Sequence, residues 1–424
     1  MVDISTLTDT ELAALKASLG VDVISDTTGR EMNTSLKLIA ASQMVQAREN
    51  LKSVTWHELN EFANDGLIGS VLDYGDMVND TWKDLSVDPT VEYANPFHLA
   101  HIGDVELADG ETLKNRPFFQ THYAQAYPVQ FSVRAFYKCA EEGLTAGTYS
   151  IKMAQAWSKL TNLQWTFTLT LDVPAGGRLE GFYGAADYDK DSFTIKVYAA
   201  DGKTVLETVT ATPGTDGTLL GTMPRSKREE TGDNAKCNSM QEGFYGCNRW
   251  ATSALRQYVN SDAAKNLWWT PQDEFDVAPE LLATIPGWLS GCSEEFVSQL
   301  KKVKVATATN TAQFDGSLDY TYDRVFIPSL EQRFIVPQTT GEGAAFEYWK
   351  RRLNRSAPQD WYRSNALVEA KTYSIKNHSE AVHERLRSAS RGYANDVWYV
   401  TSSGNVHYDD ARNAYYRFAP LVVI

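Results

Sequence analysis

Leu12, Leu15 and Leu19 recur at helical spacing behind Thr8, Asp9 and Glu11, so the pattern predicts a first helix over Ser5 to Leu19. A second follows from about Asn33 to Phe62, with Leu36, Leu38, Ile39, Met44, Val45, Leu51, Trp56 and Leu59 as its apolar positions. Residues 1–65 are therefore expected to form a helical region, either a tether or docking element or a helical cap on the next domain. From Gly66 the pattern shortens to strand-like runs at Val71 to Tyr74, Val78, Trp82, Phe97 to Ile102 and Val105 to Leu107, bounded by Asp-Pro, Asn-Pro and Asp-Gly turn signals. This β-rich segment covers residues 66–128. The runs Val129 to Tyr137, Gly147 to Trp157, Trp165 to Val173, Ser192 to Tyr198 and Thr204 to Thr210 then alternate apolar and polar residues between glycine-containing turns. They predict an antiparallel β-sandwich over residues 129–222.

Met223 to Lys236 is polar and charged and reads as an exposed loop between modules. After it, Asn248 to Val259 is an amphipathic helix ended by Asn260-Ser261-Asp262, while Val303 to Asn310 and Arg324 to Pro328 read as strands. The chain closes with a hairpin, Val397 to Thr401 against Val406 to Tyr408 across a Ser-Ser-Gly-Asn turn, and a last strand from Tyr415 to Ile424. The expected fold class is mixed α+β and β, with N-terminal helices, a sandwich and a C-terminal module over residues 235–424.

The final segment concentrates Tyr393, Trp398, Tyr399, Tyr408, Tyr415, Tyr416 and Phe418 among Asn, Ser and Gly, with no Lys or Glu from Gly392 onward. Rigid rings beside adaptable polar groups are the composition of a contact surface, and also of an ordinary half-buried β-meander. On the first reading, Tyr393, Asn395, Trp398, Tyr399, Asn405, His407, Tyr408, Asn413 and Tyr415 are the expected ligand-binding residues, with rings that stack or fill pockets and polar groups that fix orientation. Trp398→Ala and Tyr408→Ala are then expected to weaken binding without unfolding the module.

Net charge of −14 and a pI near 5.0 argue against nucleic-acid binding. The K-R-R-L-N-R run at Lys350 to Arg355 reads as a solvated helix face. No window approaches the roughly 18 to 20 apolar residues of a membrane span. Cys139, Cys237, Cys247 and Cys292 match no zinc spacing, although a Cys237–Cys247 bridge is conceivable. Nucleophile-elbow, zincin and P-loop motifs are missing, the histidines form no useful cluster, and no carboxylate pair stands out for glycoside hydrolysis. Asp187-Tyr188-Asp189-Lys190-Asp191 resembles the start of a calcium loop, but Ser192 and Tyr198 occupy the positions that need glycine and glutamate. No enzyme activity, cofactor or metal is expected.

Three boxes in fixed order carry a family resemblance. Tyr245 to Trp250 with Ser253 to Ser261 resembles the first box of a domain family of unknown function found in gut bacteria and their phages, and Tyr322 to Glu331 resembles its second. Leu386-Arg387-Ser388, the Val400 to Val406 hairpin and Phe418 to Ile424 are similar to its C-terminal elements. Glu384 or Arg385 stands where the family has tryptophan, and Ala419 where it has arginine. The resemblance covers roughly residues 235–424, and more weakly Tyr93 to Tyr123 as possible opening strands. It implies a C-type-lectin-like fold, shared with formylglycine-generating enzymes and phage adhesins, although the reactive cysteine pair of those enzymes has no counterpart here. The implied function is that of a non-enzymatic bacteriophage virion protein, a homo-oligomer that contacts other virion proteins and a host-surface glycan or protein. The alternatives are a decoration or cement protein with no host ligand, and a cell-surface glycan hydrolase.

Overall fold

The structure is a computed structural model and describes residue 39 and residues 54–134, 138–144, 146–155, 165–184, 192–211, 245–272, 276–312, 314–361 and 367–424. The helix expected over Ser5 to Leu19, most of the second helix, the loop after Met223, Cys237 and the acidic turn at Asp187 to Asp191 lie outside these residues. α1, Trp56–Asn64, begins at an extended Thr55, so the single helix expected from Asn33 to Phe62 is interrupted there. Thr55 and Glu58 close a reciprocal capping box at its start. Trp56 anchors it by packing edge-on against Phe97 and Phe119 at 5.1 and 5.4 Å.

Val71 to Tyr74 corrects the sequence reading: instead of a strand, Val71 ends a short helix, α2 (Ile68–Val71). Four residues are too few for periodicity to separate a helical turn from a strand. The chain then makes β1 (Met77–Val78), β2 (Thr81–Lys83), β3 (Glu92–Ala94), β4 (Phe97–Glu106), β5 (Thr112–Thr121) and β6 (Tyr123–Ala124). β4 and β5 pair as a long antiparallel hairpin, and the architecture includes a sheet curled into a half-barrel.

Val129 to Tyr137 is not a strand over its described part. Phe131 and Ser132 donate their amides to the Ala411 carbonyl, and the Phe131 carbonyl accepts from Ala254, so the backbone groups are spent on bonds to distant segments. β7 (Lys138–Leu144), β8 (Gly147–Gln155), β9 (Trp165–Val173), β10 (Gly177–Gly184), β11 (Ser192–Tyr198) and β12 (Val205–Ala211) follow. They pair as a sheet in the order β12-β11-β10-β7 and a separate β8-β9 hairpin, with β9 approaching β10, β11 and β12. The alternating pattern foretold β8, β9, β11 and β12, whereas β7 and β10 were not read from it.

α3 (Ala254–Val259) is capped by Ser253, whose hydroxyl accepts from the Arg256 amide; it ends at Asn260 as the sequence implied but starts six residues after the expected Asn248. α4 (Glu294–Gln299) precedes the hairpin β13 (Val303–Ala308) and β14 (Leu318–Asp323), then β15 (Val325–Phe326) and α5 (Glu347–Leu353). The remaining strands are β16 (Thr372–Ser374), β17 (Ala381–Val382), β18 (Glu384–Ala389), β19 (Asp396–Val400), β20 (Val406–Asp410) and β21 (Leu421–Val423). The strand expected from Tyr415 to Ile424 is thus confined to its last residues.

The sheet order β1-β4-β5-β21-β15 places the last strand between two segments far apart in sequence. Leu421, Val422 and Val423 pair with Gln120, Phe119 and Phe118. Buried Arg116 locks this junction: Nε donates to the Ile424 carbonyl at 2.6 Å, and its two terminal nitrogens donate to Asn64 and Asn60 of α1 at 2.7 Å each. The apolar core is therefore shared by residues on both sides of β7 to β12.

Candidate functional site

The two motif boxes meet in the interior and their polar residues hold the framework. Asp323, at the end of β14, accepts from Trp250 Nε1 at 3.1 Å, from Arg256 Nε at 2.7 Å and from the Thr321 hydroxyl at 2.6 Å. Asn260 clamps β15 by accepting from the Arg324 and Val325 amides and donating to the Val325 carbonyl. Such a set fixes geometry, because every strong donor and acceptor already has its partner.

Asn248, fully buried, performs the same service for the aromatic end. Its amide nitrogen donates to the carbonyls of Tyr393 (2.7 Å) and Asp396 (2.9 Å), its backbone N–H donates to Ala394, and its oxygen accepts from Asn310. The loop that carries Tyr393 into β19 is thereby held at several points.

The expected binding residues do not share one face. In the β19–β20 register Trp398 lies opposite Tyr408 and Tyr399 opposite His407, so the pleat sends these pairs to opposite sides of the hairpin. On one side Tyr408 packs on Trp398 (5.1 Å) and Tyr393 (5.6 Å). Trp398 itself is 0% exposed, packed at a tilt against Trp361 at 5.2 Å, with Nε1 donating to Gln338 at 3.2 Å. Asn395 is also buried and donates to Asp396 and Asp410. These two residues belong to the interior, which corrects their assignment to a contact surface. Tyr393, 42% exposed, is the open edge of that side.

On the other side Tyr399 packs on Tyr416 at 4.3 Å, with His407 and His383 around them. Tyr416, His383, Asp409 and Arg385 were not among the expected residues. Buried Arg385 spans this side, its guanidinium 3.9 Å from the Tyr416 ring and donating to the carbonyls of Val397, Asp409, Asp410 and Asn413. Burial pulls its pKa down to about 10, which still leaves it charged at neutral pH. The Tyr416 hydroxyl donates to Asp409, and burial with this bond raises the phenol far above its ordinary range. Asn413 accepts from the Tyr415 amide, and Tyr415 stands 79% exposed. Asn405 sits in the hairpin turn, where its amide N–H donates to the Thr401 hydroxyl at 2.9 Å.

Glu384, just ahead of the Leu386-Arg387-Ser388 element, pairs with Arg333 at 2.5 Å, both side chains buried. Thr372 also donates to Glu384, and the Arg333 guanidinium lies 3.3 Å from the Trp349 ring. The buried carboxylate is thus fully partnered. Arg352 is part of the same cluster, donating to the Tyr348 hydroxyl and the Lys371 carbonyl, so the basic run is only partly a solvated face.

Among the described residues no group of three or more His, Cys, Asp or Glu is placed to hold a metal ion. His98 lies fully within the core beside His122 (5.8 Å) and Tyr348 (3.8 Å). Its neighbour Gln120 is committed to Trp349 and Glu384. Burial drives the His98 pKa well down and that of His122 to about 4, aided by His122 on the former and Arg352 on the latter.

Residues 230–424 match the model of a family described as a domain of unknown function, DUF6273. No curated protein and no solved structure matches the chain. The matched span leaves out β5, one of the two strands between which β21 is seated.

Proposed function

We propose that the C-terminal module is a non-catalytic recognition module of a bacteriophage virion protein, similar in fold to C-type lectins, present in several copies on the particle. Its partner is a host-surface glycan or protein, or a neighbouring virion protein. The observation that carries this reading is the exposed Tyr393 ring, packed on Tyr408 and mounted on a loop that buried Asn248 holds in place. An exposed ring on a rigid base offers contact area at little entropic cost. The family resemblance supplies the phage and lectin-like parts of the proposal, and Tyr399, His407 and Tyr415 extend the polar-aromatic surface around the hairpin.

The test is retention of the full chain on whole cells of gut bacteria and on assembled particles, with Tyr393→Ser alongside. Retention on cells that falls in the variant supports attachment, whereas retention on particles alone assigns a cement role. No retention on either overturns the proposal. So does product formed from cell-wall glycans that a single carboxylate substitution abolishes.

A further inference from the structure

A groove of about 280 Å³ opens between β4, β13 and the loop that leads into α5, close to the smaller end of small-molecule sites. Beside it a single backbone bridge, Leu107–Val303, joins the residue after β4 to β13, and β4 carries irregularities between Leu99 and His101 and between Gly103 and Val105. Bulges of this kind bend a strand and re-aim its side chains. None of the hairpin residues discussed above lines this groove.

Three features define its chemistry. Tyr320, on β14, is 54% exposed, and the Lys304 ammonium sits 4.6 Å from its ring centroid. Lys304 also donates to both oxygens of Glu106 at 3.0 and 3.1 Å, so a cation and an anion stand together at the groove with no net charge. His101, stacked on Phe346 at 5.3 Å, has a buried Nδ1 with no hydrogen-bond partner among the described residues. Burial keeps this imidazole neutral at pH 7, so one ring nitrogen donates and the other accepts. Gly103 makes room for it, since a Cβ there would lie 3.1 Å from the His101 Nε2.

The charged groups deeper in the groove are already spent. Arg387 donates to Thr307, Gln332 and the carbonyls of Ile327, Ala306 and Glu342. Glu342 accepts from the Ala308 amide and the Ser388 hydroxyl. An anionic ligand would find no free guanidinium, and a cation no free carboxylate, because Glu106 is held by Lys304 and Asp104 by Lys114. What the groove offers is a half-open aromatic ring, a paired ammonium and carboxylate, and a neutral imidazole in its lining. These fit a small neutral molecule with an apolar ring face and several hydroxyls.

We propose that this groove binds a neutral saccharide unit, its C–H face against Tyr320 and its hydroxyls bridging Lys304, Glu106 and His101. The site is independent of the hairpin surface and would stand if that surface proved to be a subunit contact.

Saturation-transfer NMR on the full chain tests it, with the methyl glycosides of glucose, galactose, mannose and N-acetylglucosamine as probes and methyl phosphate as the anionic control. The expected result is transfer to the ring protons of at least one glycoside with a Kd of about 1 mM, equivalent to roughly −4 kcal/mol. Tyr320→Ala should weaken it about tenfold and His101→Phe measurably, with both variants unfolding at the parental temperature and Tyr393→Ser binding normally. No transfer to any glycoside overturns the assignment, as does transfer unchanged in both groove variants or transfer to methyl phosphate alone.

Discussion

Trp398→Ala separates a contact residue from a structural one. The side chain is wholly buried, between Trp361 at 5.2 Å and Tyr408 at 5.1 Å. Truncating a buried tryptophan costs about 3 to 5 kcal/mol through lost transfer free energy and the cavity left behind. The lost hydrogen bond adds little, since Gln338 Oε1 still accepts from the Arg391 amide at 2.6 Å. Against a typical total of about 5 to 15 kcal/mol this is a large fraction. At roughly 2 to 4 °C per kcal/mol for a unit of this size, the thermal midpoint should fall by about 6 to 20 °C. Guanidinium titration followed by circular dichroism reads the same loss as a lower midpoint with an unchanged slope. Tyr393→Ala, at the exposed edge, should change stability by no more than about 0.5 kcal/mol. A Trp398→Ala variant that unfolds within about 1 kcal/mol of the parent would refute the packing of the hairpin on Trp361.

Other expectations follow from the same framework. A fragment of residues 235–424 should lack fixed near-ultraviolet circular dichroism, because β21 loses β5 and Arg116, whereas a chain from residue 54 onward should show it. Stability should decline as pH falls from about 6.5 to about 4, because His122 has a depressed folded pKa and the unfolded chain takes up the proton first. That span is worth roughly 3 kcal/mol, present in full above the unfolded pKa, and His98, facing Arg333 and Arg352, contributes with the same sign. His122→Phe should flatten the decline between denaturant midpoints measured at pH 7 and pH 5. Gly404→Ala should destabilise by more than about 1 kcal/mol in thermal unfolding. Gly404 has a φ of +91°, and a Cβ there would sit 1.9 Å from the Leu367 carbonyl oxygen.

Strand-like runs bounded by turn signals were enough to locate β4, β9, β11 and the β19–β20 hairpin. They could not say which side of that hairpin is covered. Trp398 is interior only because Trp361 and Gln338 arrive from another segment, and no local pattern announces them. Lys350 to Arg355 misled for a related reason: Arg352 lies over the Tyr348 and Trp349 rings of its own helix and reaches Lys371, so charge alone was a poor guide to exposure. The boxes were legible as motifs, but their purpose was not. That Asn260 and Arg256 converge on β15 and Asp323 emerges only when the sheet is assembled. The groove was invisible in sequence, since His101, Tyr320 and Lys304 come from three strands and share no spacing.

The most direct trial of a rigid scaffold made for contact is the double variant Tyr393→Ser/Tyr415→Ser, taken through thermal unfolding and through retention on cells and particles side by side. Two exposed rings removed from a stable base should leave the midpoint within about 2 °C of the parent while retention drops at least tenfold, the loss of one good anchor. Retention that persists at the parental level, or that falls only in step with unfolding, would contradict it.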